Sequence, residues 1–532
     1  MKLSNHTNRI FGKDWLRYHP YNHITYIDNY YITLCNKVLY IIQQFKISQY
    51  IGDPEEEKSL ACVLVAYFED VISETRLFSS FTRQHKKMYE KELPFYETSD
   101  DYDEDEINIR DIYFLIWYHI TIYNEDILYD PYFENSQAFN TAVTKIYSLF
   151  NNEFEKAPQN EEFQNFLQLS ANSSVMTVRE ILSFIACKSF LLNAVFDVFY
   201  KEVIEDYKKN GVVVLDEQAE IKIYDQEIHF IFNKYMPLLS MRVNEYFAEI
   251  LGEEHSEYQF IKNISKRIFG CFVLRKIEEN GFLIEHLTSK KQLWLSNEFT
   301  SLQNTKLVEN ETVLSIGLVN WKDDVWQNQG GCFVNTIHEL NGKDFSEHFF
   351  DDEEKKKNFL EKFEKAYLKL TNGERIIFIR GKRAFIEFYL SLVRQHTKII
   401  DPKIKDEELD EKYKNFFQDS EKDLDFKKNE ILSIFFNPKS GIEILREGVT
   451  LCMSDKNNPY YAQEEFELCD LLTNKSFSKE FVNYVIENEI INLNMKGDKN
   501  PDTYKIFMEN FDFLLRFFRG SSYFSKPEVT IQ

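Results

Sequence analysis

Between Gly270 and Val334 the hydrophobic pattern changes period, and this change constrains the fold more than any other feature of the chain. Apolar residues there alternate, in GCFVLRKIEENGFLIEHLTSKKQLWL and again in ETVLSIGLVNWKDDVWQNQGGCFV, whereas most of the chain repeats every three to four residues. Alternation sends successive side chains to opposite faces of a strand. Turn signals at Glu279-Asn280-Gly281, Thr288-Ser289-Lys290 and Lys322-Asp323-Asp324 divide the segment into about five short antiparallel strands. Such a set suffices for a small SH3-like or OB-like barrel. Three of the five tryptophans, Trp294, Trp321 and Trp326, lie inside it.

Helical periodicity surrounds this segment. Residues 1–262 read as a helical domain. In it Ile24, Ile27, Tyr31, Leu34, Val38, Ile41 and Phe45 draw one apolar stripe down a helix. Asn108 is placed to cap a helix running through FLIWYHITIY, its side chain accepting from an orphan amide. Further helices are expected over 57–80, 139–155, 177–208 and 226–251, with a β hairpin over 211–223. The barrel occupies 263–340. An α+β C-terminal region follows over 341–532. It holds a helix at 351–370, a strand at 375–380, a helix at 383–393 and a charge-dense segment at 403–428. A hairpin turning at Asn437-Pro438-Lys439-Ser440-Gly441 comes next, then helices near 478–490 and 503–519. The expected fold class is therefore α+β, predominantly α-helical, with an inserted small antiparallel β barrel and a C-terminal α+β region.

Composition narrows the function classes. Lys and Arg number 63 against 87 Asp and Glu, a net charge of −24. A surface that negative repels a phosphate backbone, which disfavours extended nonspecific DNA binding. It leaves room for a local basic groove or a basic protein partner. With 43% hydrophobic residues, including 48 Phe and 31 Tyr, the chain can bury a sizeable core. The seven cysteines are scattered and never spaced as Cys-x-x-Cys, which suits a reducing cytoplasm better than a disulfide framework. No apolar secretory segment is visible near the start. The run Ile181 to Tyr200 is broken by Lys188, Asn193 and Asp197, so it reads as a buried core helix and no membrane partner is expected.

Each chemical motif falls short of its template. Gly381-Lys382 stands between a strand and a helix, but a Walker loop needs Gly at Ile376 and Ser or Thr at Arg383. What remains is a positive cluster, Arg380, Lys382 and Arg383, suited to a phosphate or an acidic peptide. Asp216 with Glu220-Ile221-Lys222 mimics a nuclease core, yet four residues are too few to converge carboxylates on a metal. Asp101, Asp103 and Asp105 alternate as in a calcium loop that lacks its Gly and its final Glu. His19 and His23 are four apart with no third ligand in view. No Gly-x-Ser-x-Gly, His-Glu-x-x-His or Gly-x-Gly-x-x-Gly occurs. No catalytic residue, cofactor or metal site is therefore expected. Trp321 and Trp326 flank the Lys322-Asp323-Asp324 turn and can offer an aromatic platform at the barrel rim, unless both fill the barrel core.

Several phrases resemble an uncharacterised bacterial family catalogued as a domain of unknown function. They are Asp14-Trp15-Leu16 with His19-Pro20-Tyr21, Tyr67-Phe68-Glu69-Asp70-Val71-Ile72 and Leu93-Pro94-Phe95-Tyr96. The segment from Ile107 to Trp117, Asn457-Asn458-Pro459-Tyr460-Tyr461, and Phe511 to Arg519 complete the set. The resemblance implies a bacterial, intracellular, mostly helical protein and carries no reaction. The function expected is that of a non-catalytic binding or scaffold protein using the barrel as a recognition module. Its binding residues would be Trp321, Trp326, Arg380, Lys382 and Arg383, and its partner a protein. The alternative is a nucleic-acid or nucleotide-acting enzyme with a site assembled across domains, since the basic cluster allows nucleic acid.

Overall fold

The structure, a computed structural model, describes residues 9–524 apart from 46, 99–101, 125–126, 134–135, 171–172, 210–216, 299–301, 303–305, 323, 337–352, 406, 410–428 and 496–500. It is mixed α+β and predominantly helical. The chain forms two compact units, Met1–Phe350 with Ile506–Gly520, and Asp351–Lys505 with Ser521–Gln532. The helical and barrel segments thus share the first unit. No helix among the described residues is long and apolar enough to cross a membrane.

In the first unit the helices are α1 (Gly12–Trp15), α2 (Tyr26–Gln44), α3 (Pro54–Ile72), α4 (Leu77–Tyr89), α5 (Ile109–Tyr123) and α6 (Gln137–Glu153). They continue as α7 (Glu161–Leu167), α8 (Val175–Cys187), α9 (Asn193–Lys209), α10 (Glu217–Asn233), α11 (Val243–Leu251) and α12 (Tyr258–Lys262), and the returning segment Ile506–Gly520 carries one more helix, Phe511–Arg519. A capping box starts α2. The Thr25 hydroxyl accepts from Asp28 N at 3.2 Å while the Asp28 carboxylate accepts from Thr25 N at 2.7 Å. Tyr31, Leu34, Cys35, Val38, Leu39 and Ile42 form its buried stripe, so Ile24, expected in that stripe, is left 43% exposed.

Several expected helices are broken by polar side chains that bond to backbone. The span 57–80 divides because Asp70 caps α4, accepting from Leu77 N at 2.9 Å and Phe78 N at 2.8 Å. Glu74 and Arg76 take positive φ in the turn. The span 177–208 divides into α8 and α9, where the Asn193 side-chain amide donates to the Cys187 carbonyl at 2.8 Å. The span 226–251 likewise divides into α10 and α11. The expected hairpin at 211–223 is overturned where it can be seen: Glu217 to Ile223 open α10, and 210–216 lie outside the described residues. Asn108 stands at the start of α5 but does not cap it. Its amide donates instead, to the carbonyls of Asp103 at 2.7 Å and Glu106 at 3.0 Å.

The strands of the first unit are β1 (Ile268–Glu278), β2 (Gly281–His286), β3 (Gln292–Ser296), β4 (Thr312–Lys322) and β5 (Val325–Thr336). They hydrogen-bond in the order β1-β2-β3-β5-β4, and β4 returns to β1 to close the barrel. All pairs are antiparallel except β3 with β5, which run parallel through Trp294↔Val325 and Leu295↔Trp326. Phe272, Leu274, Ile284, Leu295, Ile316 and Trp326 fill the interior. Arg267 ties this wall to α10. Its guanidinium, 2% exposed, pairs with Asp225 of α10, and its Nε donates to the Gln329 carbonyl at 2.7 Å. The guanidinium lies against Gly317 and Gly330, where a Cβ would come within 2.1 Å and 2.9 Å of it.

In the second unit α13 (Glu353–Leu370) and α14 (Lys382–Ile400) cover a sheet of β6 (Ile376–Arg380), β7 (Ile431–Asn437) and β8 (Gly441–Leu445), ordered β6-β7-β8. Phe363, Tyr367, Leu392, Leu432, Ile434 and Phe436 make its core. Apart from residues 403–405 and 407–409, the charge-dense segment lies outside the described residues.

Candidate functional site

On the outer face of β1, β2 and β3 aromatic, apolar and charged side chains meet water. Leu283 and Trp294 are cross-strand partners, as are Glu285 and Gln292, and all four point away from the core. The Trp294 indole lies across Gly281. A Cβ on that glycine would come within 2.9 Å of the ring, so glycine is what lets the indole lie flat on the sheet. No polar partner for the indole nitrogen exists among the described residues. Around it Arg275 donates to Glu285 at 2.8 Å and to Asn310 at 2.9 Å, and Lys276 pairs with Glu278 at 2.6 Å. Arg275 and Lys276 thus each have a carboxylate. Residues 266–336 contain eight basic and eight acidic residues, a neutral island in a chain of −24.

Trp326 and Trp321 are placed differently. Trp326 is 8% exposed inside the barrel and offers no platform. Trp321, partly exposed, stands edge-on to Phe260 of α12 with ring centroids 5.7 Å apart, and Lys322 lies over that same ring at 5.4 Å. The residue that composition alone did not single out is Trp294. Its position after the charged Ser289-Lys290-Lys291 turn, on the strand beside the Gly281 strand, was the available signal.

In the second unit Arg380, Lys382 and Arg383 gather where β6 passes through Gly381, at φ 83°, into α14. Arg380 lies over the Tyr460 ring at 5.0 Å. Arg383 is 91% exposed and pairs with Glu387 at 2.9 Å. Two cations in the first turn of a helix oppose its dipole, so the cluster adds little to the stability of α14.

The two histidines do not converge. His23 is exposed beside Glu162, whereas His19 is fully buried, with Nε2 2.8 Å from Glu69 Oε2 and Nδ1 3.1 Å from the Trp15 carbonyl. Glu69 Oε1 accepts from Asn160, which also donates to the Tyr21 hydroxyl at 2.7 Å. Tyr21 and Trp15 both donate to Asp28. Burial lowers the His19 pKa, but the Glu69 carboxylate outweighs it and holds the imidazole above its ordinary range. Nearby, burial pushes the Asp111 carboxyl up to about 7, against hydrogen bonds from Tyr67, Tyr102 and Asn108. Burial likewise pushes Asp70 up to about 6. Among the described residues no group of three or more His, Cys, Asp or Glu can hold a metal ion. The seven cysteines are free, and Glu220 and Lys222 stand on α10.

Residues 9–272 match the model of a family described as a protein of unknown function (DUF3843). The match covers the helices from α1 to α12 and ends within β1. The rest of the barrel lies outside it, as do the phrases at 457–461 and 511–519. No curated protein and no solved structure matches the chain.

Proposed function

We propose that this chain is a non-catalytic binding or scaffold protein of the bacterial cytoplasm, which recognises a protein partner through the outer face of β1–β3. The observation that carries the reading is Trp294: a flat, partly exposed indole whose N–H has no partner among the described residues, beside Leu283 and two surface ion pairs. Indoles in such settings bring large contact area at small entropic cost, with one donor to orient the partner. The strand order and the parallel β3–β5 pair resemble OB-type barrels, in which the face of strands 2 and 3 takes ligands. That likeness speaks for a binding face and not for a particular occupant. Charge favours a protein. Phosphate recognition draws on cations free to replace counterions, whereas Arg275 and Lys276 are already neutralised by Glu285 and Glu278.

The test is co-purification of the tagged full chain from its own host with nuclease present, comparing wild type, Trp294→Ala and Trp321→Ala. The expected result is a defined protein retained by wild type and Trp321→Ala and lost by Trp294→Ala at unchanged melting temperature. A partner kept by Trp294→Ala, or material released entirely by nuclease, contradicts it. The latter outcome would favour the nucleic-acid-acting alternative, for which the Arg380 cluster is the support.

A further inference from the structure

A cleft of about 750 Å³ opens among α7, α8, α9 and α10 in the first unit. It uses none of the barrel's residues, and its size suits a small molecule. Phe166, Phe184 and Phe196 give it apolar walls. Its charges are balanced: Arg17, Arg179 and Lys188 stand against Glu180, Asp197 and Glu227. Arg17 and Asp197 satisfy each other at 2.5 Å. Arg179 is steadied by the Tyr224 hydroxyl, which accepts from it at 2.5 Å. Glu180 and Glu227 have no ion pair or hydrogen bond with any described residue.

Glu227 indicates what the cleft lacks. Its carboxylate lines the cleft, partly buried and without an ion pair among the described residues. Burial raises it above its ordinary range, against the pull of Arg179, so a cation beside it would be welcome.

We propose that the cleft binds a zwitterionic amino-acid derivative or short peptide with an apolar side chain. The ammonium would pair with Glu227, the carboxylate would pair with Arg179, and the side chain would lie on Phe184 and Phe196. The balanced lining selects this class. A nucleotide or other multiply charged anion meets three carboxylates, and a polyamine meets three cations.

The experiment is isothermal titration of the full chain with the dipeptide phenylalanyl-leucine, with its N-acetyl form, and with its C-terminal amide. Glu227→Gln and Arg179→Met serve as variants, because neither removes the Asn193 bond that ends α8. The free dipeptide is expected to bind. Blocking either end should weaken it about tenfold or more, the scale of one charge-assisted contact. Arg179→Met should weaken the free dipeptide similarly and leave the amide unaffected, and Glu227→Gln should do the same with respect to the acetylated form. No heat with folded protein at millimolar dipeptide overturns the proposal. So does binding indifferent to both blocks, or binding that neither variant weakens.

Discussion

In the helical part of the first unit His19, Glu69, Asn160, Tyr21 and Asp28 are withdrawn from water and satisfy one another. On the barrel, Arg275 with Glu285 and Lys276 with Glu278 pair at the surface, beside an indole that has no polar partner among the described residues. The same residue types serve different ends. A closed buried network specifies which helices pack together, because each member left alone would be costly. An open face loses little if its residues change, since water can replace what is lost. Function is therefore better sought where polar groups are exchangeable than where they are most densely bonded, and perturbed carboxyls such as Asp111 are a poor guide here despite their shifts.

The contrast can be broken by mutation, and the largest effects should fall on the buried side. Glu69→Leu leaves His19 and the Asn160 amide without their acceptor, and urea unfolding should show a loss of about 3–5 kcal/mol. Trp326→Ala should cost a similar amount, about 3–5 kcal/mol, because it empties the barrel interior. Equal stability of Trp326→Ala and Trp294→Ala would erase the distinction drawn between the two tryptophans. Gly330→Ala forces a side chain into φ 103° with its Cβ 2.6 Å from the Asp225 carboxylate, and a loss of about 1–3 kcal/mol is expected.

A smaller effect should appear in pH dependence. The folded pKa of Asp111, about 7, lies above the ordinary value of 3.8, so the folded state holds its proton more tightly than the unfolded chain. Its contribution to stability is complete below pH 3.8 and is lost as pH rises towards 7. Asp111→Asn should flatten that decline, measured as unfolding midpoints across the window, whereas an unchanged slope would show that Asp111 does not titrate there. The smallest effect is expected from Trp294→Ala, within about 0.5 kcal/mol as for other surface positions.

Much of this arrangement was legible in the sequence, and its failures have common causes. The strands and turns of 268–336 followed from alternation, and the helices from their apolar stripes. The breaks at Asp70 and Asn193 did not, because a single polar side chain that bonds to backbone leaves the surrounding helical period intact. The 211–223 hairpin was misread because a Val-rich start suggested strand, while Glu217 onwards joins the amphipathic pattern of α10. The parallel β3–β5 pair was hidden as well, since strand order depends on contacts distant in sequence. Trp321 and Trp326 drew notice by flanking a turn. Which face each side chain takes depends on register, and the bulge between Asn320 and Lys322 shifts it. The same uncertainty concealed Trp294.

The most direct test of the barrel face is photo-crosslinking from a benzophenone side chain introduced at position 294, with position 321 as the comparison, in nuclease-treated host extract. One protein adduct is expected from position 294 and none from position 321. Equal adducts from both positions, or none from 294 while the partner still co-purifies, would contradict it.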